Sequence, residues 1–538
     1  MAEVARRNFL GASLAAAGGV VVGVGGTLGV QALNPPASAF PKVKVPSEAA
    51  YLPIDASNID KAVDRVESLI TDLMKKTGMP GVAAAVVHND KIVFAKGFGV
   101  RKVGTHDAVD TDTVFQLASL SKSLSGTVMA AAVEKGIVAW DDPVIKHLKS
   151  FKLSDEYATN NVTLADMFSH RSGLPDHAGD LVEDLGYDES AILSRLQYYP
   201  LAPIRAHYAY TNFGLTAAAA ATAAAAGMSW DALCHEFLFD PLKMSSTNTT
   251  LAAYKSSPKR AYGHVLVGKK WEAKYVRDPD PEAPAGGVSG SVKDMAAWLR
   301  LQLAEGKFDG TQVIDAKQIL TIQSPHMISG APGTPASRAG MYGYGIGTSP
   351  DASGRVVLSH SGQFAIGAGT NYMMMPAEKL GIVVLGNGMA IGLVEAVTRS
   401  FFDIVETGDV RADWYRLFHD YQFAPGYENP SELAGKTKPA SPSAAPPASA
   451  VVGKYTNDLY GPAAVIADGD ALVLTMGAKQ VRYPLTHWDG ATYSYEPIGE
   501  NAAGISAATF TVGAGPTTLA LEPLNTGHAE GLGVFTRV

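Results

Sequence analysis

The chain has 538 residues, of which 46% are hydrophobic and 18% are charged, enough for two or more globular domains with sizeable cores. Its 44 Lys and Arg residues stand against 52 Asp and Glu residues, and the absence of any long basic run excludes nucleic acid as the expected partner. The single cysteine, Cys234, excludes an intramolecular disulfide and disfavours a thiolate zinc site. The sequence as a whole implies no metal and no cofactor.

The first 39 residues have the pattern of an export signal. Arg6-Arg7 precedes a Gly-, Ala- and Val-rich stretch, and Ala37-Ser38-Ala39 supplies the small residues of a cleavage site. Paired arginines before a weakly hydrophobic segment are typical of twin-arginine export. The alternative is an uncleaved anchor, because the stretch is long enough to span a bilayer. We predict that residues 1–39 are a cleaved twin-arginine signal peptide, and that the mature protein is periplasmic or secreted without stable membrane insertion.

Residues 40–430 have the pattern of an α+β domain. Apolar spacing predicts a helix over 57–77 and then a hairpin around residues 88–91. A mostly helical region runs from about 119 to 320. Short strand-like runs and a last helix follow, at 355–359, 369–375, 380–385 and 391–405. Strands at both ends of the domain must therefore share one sheet, with the helical region between them.

The last part of the chain changes character. Residues 431–450 form a linker, because a segment rich in Pro, Ser and Ala cannot bury a core. Residues 451–538 then predict an all-β domain, for which a barrel is the arrangement we expect. Its strand candidates are 464–467, 471–475, 480–485, 493–496, 509–512 and 518–521. It holds no catalytic motif, and binding substrate, shaping the cleft and stabilising the chain all stay open as its role.

Ser119 and Lys122 stand three residues apart at the start of a predicted helix, and such residues share a helix face. A serine hydroxyl becomes a nucleophile when a base takes its proton, and a desolvated neutral lysine can be that base. Ser256 and Lys259 have the same spacing, but Pro258 would disrupt a helix interior there. Taken alone, the first pair also fits an ordinary amphipathic helix with a polar N-terminus.

Two further motifs follow in order: Tyr210-Thr211-Asn212 and His360-Ser361-Gly362. Together with Ser119 and Lys122, they resemble the motifs of the serine β-lactamase-related hydrolases. That family includes class C β-lactamases, D-alanyl-D-alanine carboxypeptidases, D-aminopeptidases and certain esterases. The resemblance covers roughly residues 45–405, and the tail is similar to the β-barrel domains of some members. It implies a β-lactamase/transpeptidase-like fold: an antiparallel sheet flanked by helices, with a mostly helical insertion.

The resemblance also implies a role for each motif residue. Ser119 would attack a carbonyl carbon and form an acyl-enzyme, while Lys122 and Tyr210 move protons, and which of these two is the base stays open. Asn212 offers a donor and an acceptor that suit a substrate amide. The backbone N–H groups of Ser119 and Gln363 would stabilise the oxyanion of the tetrahedral intermediate.

In the third motif, His360 and Gly362 are expected beside the substrate. His360 departs from the lysine of most penicillin-interacting members. A histidine is charged only part of the time near neutral pH, so it grips a substrate carboxylate less well than a lysine does. This departure weakens the case for β-lactam recognition.

The resulting hypothesis is an exported serine peptidase or amidase that hydrolyses short or unusual peptides. A carboxylesterase is the alternative enzyme, because acyl transfer from an ester begins in the same way. A catalytically inactive protein that binds cell-wall peptide is the alternative outside enzymes. The expected partner is a small peptide or ester substrate, and the sequence leaves the oligomeric state open.

Overall fold

The computed structural model describes residues 53–351, 353–422, 431–502, 504–525 and 530–538, so the predicted signal peptide lies outside the described residues. Among those described, no helix is both long and apolar enough for a membrane crossing. The helices are α1 Ala56–Thr77, α2 Leu120–Glu134, α3 Val144–His147, α4 Glu156–Asn161, α5 Leu164–Phe168, α6 Asp180–Asp184, α7 Glu189–Arg195, α8 Asn212–Ala226, α9 Trp230–Cys234, α10 Leu251–Ser256, α11 Val292–Leu303, α12 Ala316–Gln323, α13 Leu393–Thr407, α14 Trp414–Gln422 and α15 Ala448–Val451.

The strands fall into a large sheet, a barrel and three short pairs. The large sheet contains β1 Gly81–His88, β2 Lys91–Gly99, β9 Met327–Gly330, β10 Gly340–Tyr342, β11 Gly347–Pro350, β12 Val356–Phe364, β13 Ala368–Met375 and β14 Leu380–Gly386. The short pairs are β3 Val114–Gln116 with β6 Ser289–Ser291, β4 Val265–Val267 with β5 Lys270–Glu272, and β7 Lys307–Phe308 with β8 Thr311–Gln312. The barrel contains β15 Gly453–Thr456, β16 Ala463–Asp468, β17 Ala471–Met476, β18 Val481–Asp489, β19 Thr492–Tyr495, β20 Ser506–Thr511, β21 Thr518–Leu521 and β22 Val534–Arg537.

The large sheet joins the two ends of the first domain, as the sequence predicts. Its order is β2-β1-β14-β13-β12-β11-β10-β9, and every neighbouring pair is antiparallel. The strand β1 pairs with β14 from Val82 opposite Gly386 to His88 opposite Leu380. The mostly helical region between β2 and β9 packs on one face of this sheet, while α1 and α13 pack on the other. This is the β-lactamase/transpeptidase-like arrangement that the motifs imply.

The local signals at helix ends explain where the predicted helices begin and end. Asp55 caps α1 by accepting a hydrogen bond from the Ser57 N–H, and Gly78 ends the helix at φ +70°. The alanine-rich α8 begins after Thr211, whose hydroxyl accepts from the Gly214 N–H, and it ends at Gly227 in the left-handed region. These caps confirm the helix predicted over 57–77 and show where one helix of the predicted helical region begins and ends.

The helix α2 differs from the amphipathic helix that its sequence suggests. Every residue from Leu120 to Ala132 is buried, including Lys122 and several serines and threonines. The cause is its place between the sheet and the helical region, which covers all of its faces. A lysine in the first turn of such a helix is desolvated, and that is the condition that general-base chemistry requires.

The C-terminal β-domain is a closed eight-stranded antiparallel barrel. The sequence predicts six of its strands; β15 and β22, which pair with each other and close the barrel, were missed. The apolar core of the helical region continues into the barrel without a break. Between the two, Ala478 N–H donates to Leu185 O over 2.9 Å and Tyr187 O–H donates to Tyr460 O over 3.1 Å. The predicted linker lies along the barrel, where Ser431 donates to Glu522 over 2.9 Å.

Candidate active site

The turn before α2 presents Ser119 to the cleft. Ala118 has φ +48°, a conformation that is uncommon for a residue with a side chain. Ser121 stabilises this turn, because its hydroxyl donates to Ala118 O over 2.6 Å and accepts from the Val288 N–H over 3.0 Å. Ser119 occupies the cap position of α2 but makes no side-chain cap hydrogen bond. Its hydroxyl is thus available for other groups.

Two side chains meet at that hydroxyl, one from the same helix and one from a distant part of the chain. Lys122 Nζ lies 3.1 Å from Ser119 Oγ, and Tyr210, which is 91 residues away in sequence, donates its O–H to Ser119 Oγ over 2.9 Å. Lys122 Nζ also lies 4.6 Å from the centre of the Tyr210 ring. The structure therefore brings together the three residues that the sequence assigns to the chemistry.

The surroundings of Lys122 lower the pKa of its amine, so that the neutral form becomes accessible near pH 8. Burial lowers the pKa of Lys122 to about 8, and nearby carboxylates, of which Glu282 has the largest effect, limit the decrease. The amine also lies 2.6 Å from Asn212 Oδ1 and 2.9 Å from Ala285 O, which can only accept hydrogen bonds. A neutral amine has two N–H bonds for these two acceptors. Its lone pair then faces Ser119 Oγ, the geometry that a general base needs.

Tyr210 is suited to donate a proton. Burial raises the pKa of its phenol far above the ordinary value, although its hydrogen bond with Ser119 works in the opposite direction. At neutral pH the phenol therefore keeps its proton and donates it to the serine oxygen. The geometry favours Lys122 as the base and Tyr210 as the proton donor, a choice that the sequence leaves open.

Asn212 has a different environment from the one that its sequence role suggests. Its oxygen faces Lys122, and its amide donates to Asp180 Oδ2 over 3.1 Å. Asp180 Oδ2 also lies 2.8 Å from Nδ1 of His177. Both ends of the Asn212 amide are thus engaged, which makes it a positioning group for Lys122. A substrate amide would have to share these bonds.

An ion-pair cluster beside Lys122 was not found by reasoning from the sequence. Arg277 Nη2 lies 2.6 Å from Glu183 Oε2 and 2.8 Å from Glu282 Oε1, and all three side chains are buried. Burial raises the pKa of both glutamates, while the Arg277 guanidinium lowers it. The positive charge of Arg277 partly neutralises these carboxylates. It therefore limits how far their negative charges raise the pKa of Lys122. One sequence signal was that Glu282 stands three residues before an Ala285-Gly286-Gly287 stretch.

The third motif lies against the nucleophile turn through Gly362. A Cβ on this residue would be 2.4 Å from Leu117 O and 3.0 Å from Ser119 N, so only glycine fits. Thr370, the neighbour of Gly362 on β13, donates to Leu117 O over 2.8 Å. The backbones of β12 and of the nucleophile turn are therefore in contact. This brings together the segments that carry the N–H groups of Ser119 and Gln363.

His360 is held as a neutral imidazole at the same edge. Its Nδ1 lies 2.7 Å from the carbonyl oxygen of Ser361, so Nδ1–H donates there. Its Nε2 then accepts from the Tyr342 hydroxyl over 2.8 Å. Burial lowers the pKa of His360 to about 4, with a contribution from Lys122. At neutral pH this histidine carries no charge with which to bind a carboxylate.

The comparisons with known proteins agree with this geometry. The β-lactamase family model matches residues 66–398, which is more than half of the chain. The chain belongs to the β-lactamase family. As a member with this complete set of site residues, it is a serine hydrolase.

Several relatives extend beyond the matched domain. The chain is 25% identical over 438 residues to an unguisins hydrolase of Aspergillus campestris, covering 76% of this chain and 78% of the relative. An unguisins hydrolase of Aspergillus violaceofuscus is 23% identical over 509 residues, 87% of each chain. Among solved structures, an octameric penicillin-binding protein homologue from Pyrococcus abyssi aligns with a TM-score of 0.56 at 19% identity, covering 86% of this chain and 98% of that one. This last likeness shows the shared fold.

We predict that activity rises with pH through a midpoint near 8. The amine of Lys122 must be neutral to accept a proton, and its pKa is about 8, so the active fraction is small well below that pH and approaches unity above it. The raised pKa of Tyr210 predicts no loss from phenol ionisation up to about pH 10. The measurement is kcat/KM for an uncharged ester from pH 5 to 10. A flat profile over this range would contradict a lysine base.

Proposed function

We propose that this chain is an exported serine peptidase or amidase, which hydrolyses short or unusual peptides through an acyl-enzyme on Ser119. The observation that carries the proposal is the convergence of Lys122 Nζ and Tyr210 Oη on Ser119 Oγ, at 3.1 and 2.9 Å. In the first step Ser119 Oγ bonds to the carbonyl carbon, and its proton passes to Lys122. The carbonyl π-electron pair moves to oxygen, where the N–H groups of Ser119 and Gln363 would stabilise it.

The second half of the cycle uses the same groups. The tetrahedral intermediate collapses as the bond to the leaving nitrogen breaks, and Tyr210 supplies the proton that an amine leaving group requires. Lys122, whose amine lies 3.1 Å from Ser119 Oγ and 4.6 Å from the centre of the Tyr210 ring, returns its proton to Tyr210. Water then attacks the acyl-enzyme with the same assistance and releases the acid and free Ser119. No metal or cofactor enters this scheme.

The substrate class follows from the neutral edge of the cleft. His360 is uncharged, and Lys122 and Arg277 are already engaged by oxygens of the protein. Acyl groups without a free carboxylate next to the reacting bond therefore suit this site better than penicillins do. The two Aspergillus relatives are named for the hydrolysis of unguisins and not of a β-lactam. Both points argue against a β-lactam as the substrate.

Matched substrates test the peptidase against the esterase. We expect turnover of peptide p-nitroanilides as well as of the corresponding p-nitrophenyl esters, because Tyr210 can protonate an amine leaving group. The assay measures kcat/KM for each ester and anilide pair across a mixed L- and D-peptide set. If ester turnover exceeds amide turnover by many orders of magnitude for every peptide, the protein is a carboxylesterase.

A covalent probe tests the enzyme against the inactive binding protein. A fluorophosphonate should label the wild-type chain on Ser119, because an activated serine reacts with phosphorus as it does with a carbonyl. Ser119→Ala should remove the label, whereas Ser256→Ala, in the second copy of the spacing, should keep it. An unlabelled wild-type protein would identify an inactive binder.

Export rests on the sequence of the first 39 residues. We expect a bacterial host with a twin-arginine translocase to deliver the full-length chain to the periplasm with its signal removed. Replacing Arg6 and Arg7 by lysine should retain the precursor in the cytoplasm. Cell fractionation with mass spectrometry of the N-terminus measures both results, and a periplasmic protein that keeps residues 1–39 would support the anchor instead.

A further inference from the structure

One loop of the barrel reaches across to the hydrolase domain. It joins β19 to β20, and its residues 499–501 lie against Asp184 at the end of α6. Asp184 accepts hydrogen bonds from the N–H groups of Glu500 and Asn501, each over 2.8 Å, and from the Asn501 side chain over 3.0 Å. Gly499 has φ +132°, and a Cβ there would be 2.5 Å from Asp184 Cγ. The loop is therefore closely fitted to its neighbour.

The fitted loop directs the side chain of Glu500 at the β12–β13 turn. One carboxyl oxygen accepts a hydrogen bond from the Ala365 N–H, and the other accepts from the Ile366 N–H over 3.4 Å. The carboxylate also lies 3.9 Å from Arg277 Nε, and the Glu500 side chain is only 14% exposed. Burial raises the pKa of Glu500 to about 8, although Arg277 and the two backbone N–H groups oppose this shift. Because its oxygens accept from both N–H groups, the side chain is a fixed anchor for the turn, and moving it would leave those groups unpaired.

The anchored turn is continuous with the segment that carries Gln363. Phe364, between Gln363 and the turn, packs in a small cluster with Ala118, the residue before the nucleophile. The Arg277 guanidinium, which pairs with Glu183 and Glu282, lies 5.2 Å from the centre of the Phe364 ring. Glu500 is therefore connected to the nucleophile turn in two ways. One is through the backbone of the β12–β13 turn to Phe364, and the other is through Arg277, which packs on the Phe364 ring.

We propose that Glu500 is a positioning residue: the barrel uses its carboxylate to hold the β12–β13 turn so that the Gln363 N–H faces the carbonyl oxygen of the substrate. This rests on the acyl-transfer chemistry proposed for Ser119. It gives the barrel a part in catalysis without contact with the reacting atoms. The barrel's role, open from its sequence, is then to complete the oxyanion site.

Glu500→Gln tests the proposal with little change in shape. The amide keeps one acceptor oxygen, but its NH2 group faces either a backbone N–H or Arg277, so the turn loses part of its anchor. We expect kcat for p-nitrophenyl acetate to decrease by about tenfold to a hundredfold, with KM within about threefold of the wild type. The melting temperature should stay near that of the wild type, since the substitution keeps the side-chain volume and removes no apolar core group.

The matched control is Glu522→Gln. Glu522 is also a barrel glutamate that accepts from backbone N–H groups, but its partners are Ser431, Glu432 and Ala507, none of which belongs to the cleft. If Glu500 had only a structural role, Glu500→Gln and Glu522→Gln would have similar kcat values. We expect Glu522→Gln to keep the wild-type kcat.

A thiono ester supplies a readout specific to the oxyanion site. Sulfur in place of the carbonyl oxygen accepts hydrogen bonds poorly, so the wild type should prefer the oxygen ester, and Glu500→Gln should show a smaller preference. An unchanged preference with unchanged kcat would overturn the proposal, as would loss of the fold in Glu500→Gln alone. The ester assay keeps this test separate from the peptidase assignment, which fails only if amides resist hydrolysis or Ser119 resists labelling.

Discussion

Lys122→Met should lower kcat/KM by about a thousandfold, the middle of the range for a lost general base. Methionine fills a similar volume in the buried first turn of α2 but has no lone-pair nitrogen facing Ser119 Oγ. Two acceptors, Asn212 Oδ1 and Ala285 O, also lose their donor. The measurement is kcat/KM on an ester, accompanied by thermal melting to establish that the fold persists.

The second copy of the serine–lysine spacing provides a matched control. Lys259 is exposed and pairs with Asp110 and Asp112 over 2.7 and 3.3 Å. Exposed ion pairs contribute little to stability, so Lys259→Met should keep wild-type kcat/KM. A Lys122→Met variant within about threefold of the wild type would remove Lys122 from the mechanism.

Tyr210→Phe should lower kcat for amides by about a hundredfold. The substitution keeps the ring, which lies 4.5 Å from the His170 ring, and removes only the hydroxyl that donates to Ser119 Oγ. A departing amine needs a proton, whereas p-nitrophenolate does not. The loss should therefore be smaller for the p-nitrophenyl ester than for the matching anilide, and kcat on both substrates measures the difference.

A neighbouring tyrosine serves as the control for this effect. Tyr208 packs edge-on against the same His170 ring, with the ring centres 5.5 Å apart. Tyr208→Phe removes a hydroxyl too, but the phenol that donates to Ser119 is that of Tyr210. We expect it to keep a wild-type ratio of anilide to ester turnover. Equal losses on both substrates in Tyr210→Phe would show that the phenol does not protonate the leaving group.

The shortest strands could not be predicted from the hydrophobic periodicity of the sequence. The hairpin of β1 and β2 was predicted because its two apolar runs flank a polar turn, and β12 to β14 for the same reason. The strands β9, β10 and β11 have only three or four residues each and contain glycine, serine or proline, so they carry no alternating pattern. Likewise β15 and β22 become strands because they pair with each other across the closing seam of the barrel.

The sequence by itself determined the order and chemistry of the site motifs, the helix that presents Ser119 and Lys122, and the all-β character of the C-terminal region. These three features depend on residue type and on spacing within one helix or strand, and both are local properties of the sequence. Only the tertiary structure decided that α2 is buried on every face, which lowers the pKa of Lys122. It alone placed Arg277 and its carboxylates beside that amine and Glu500 against the β12–β13 turn. Desolvation and ion pairing come from segments that are far apart in the chain, and no local pattern encodes their contact.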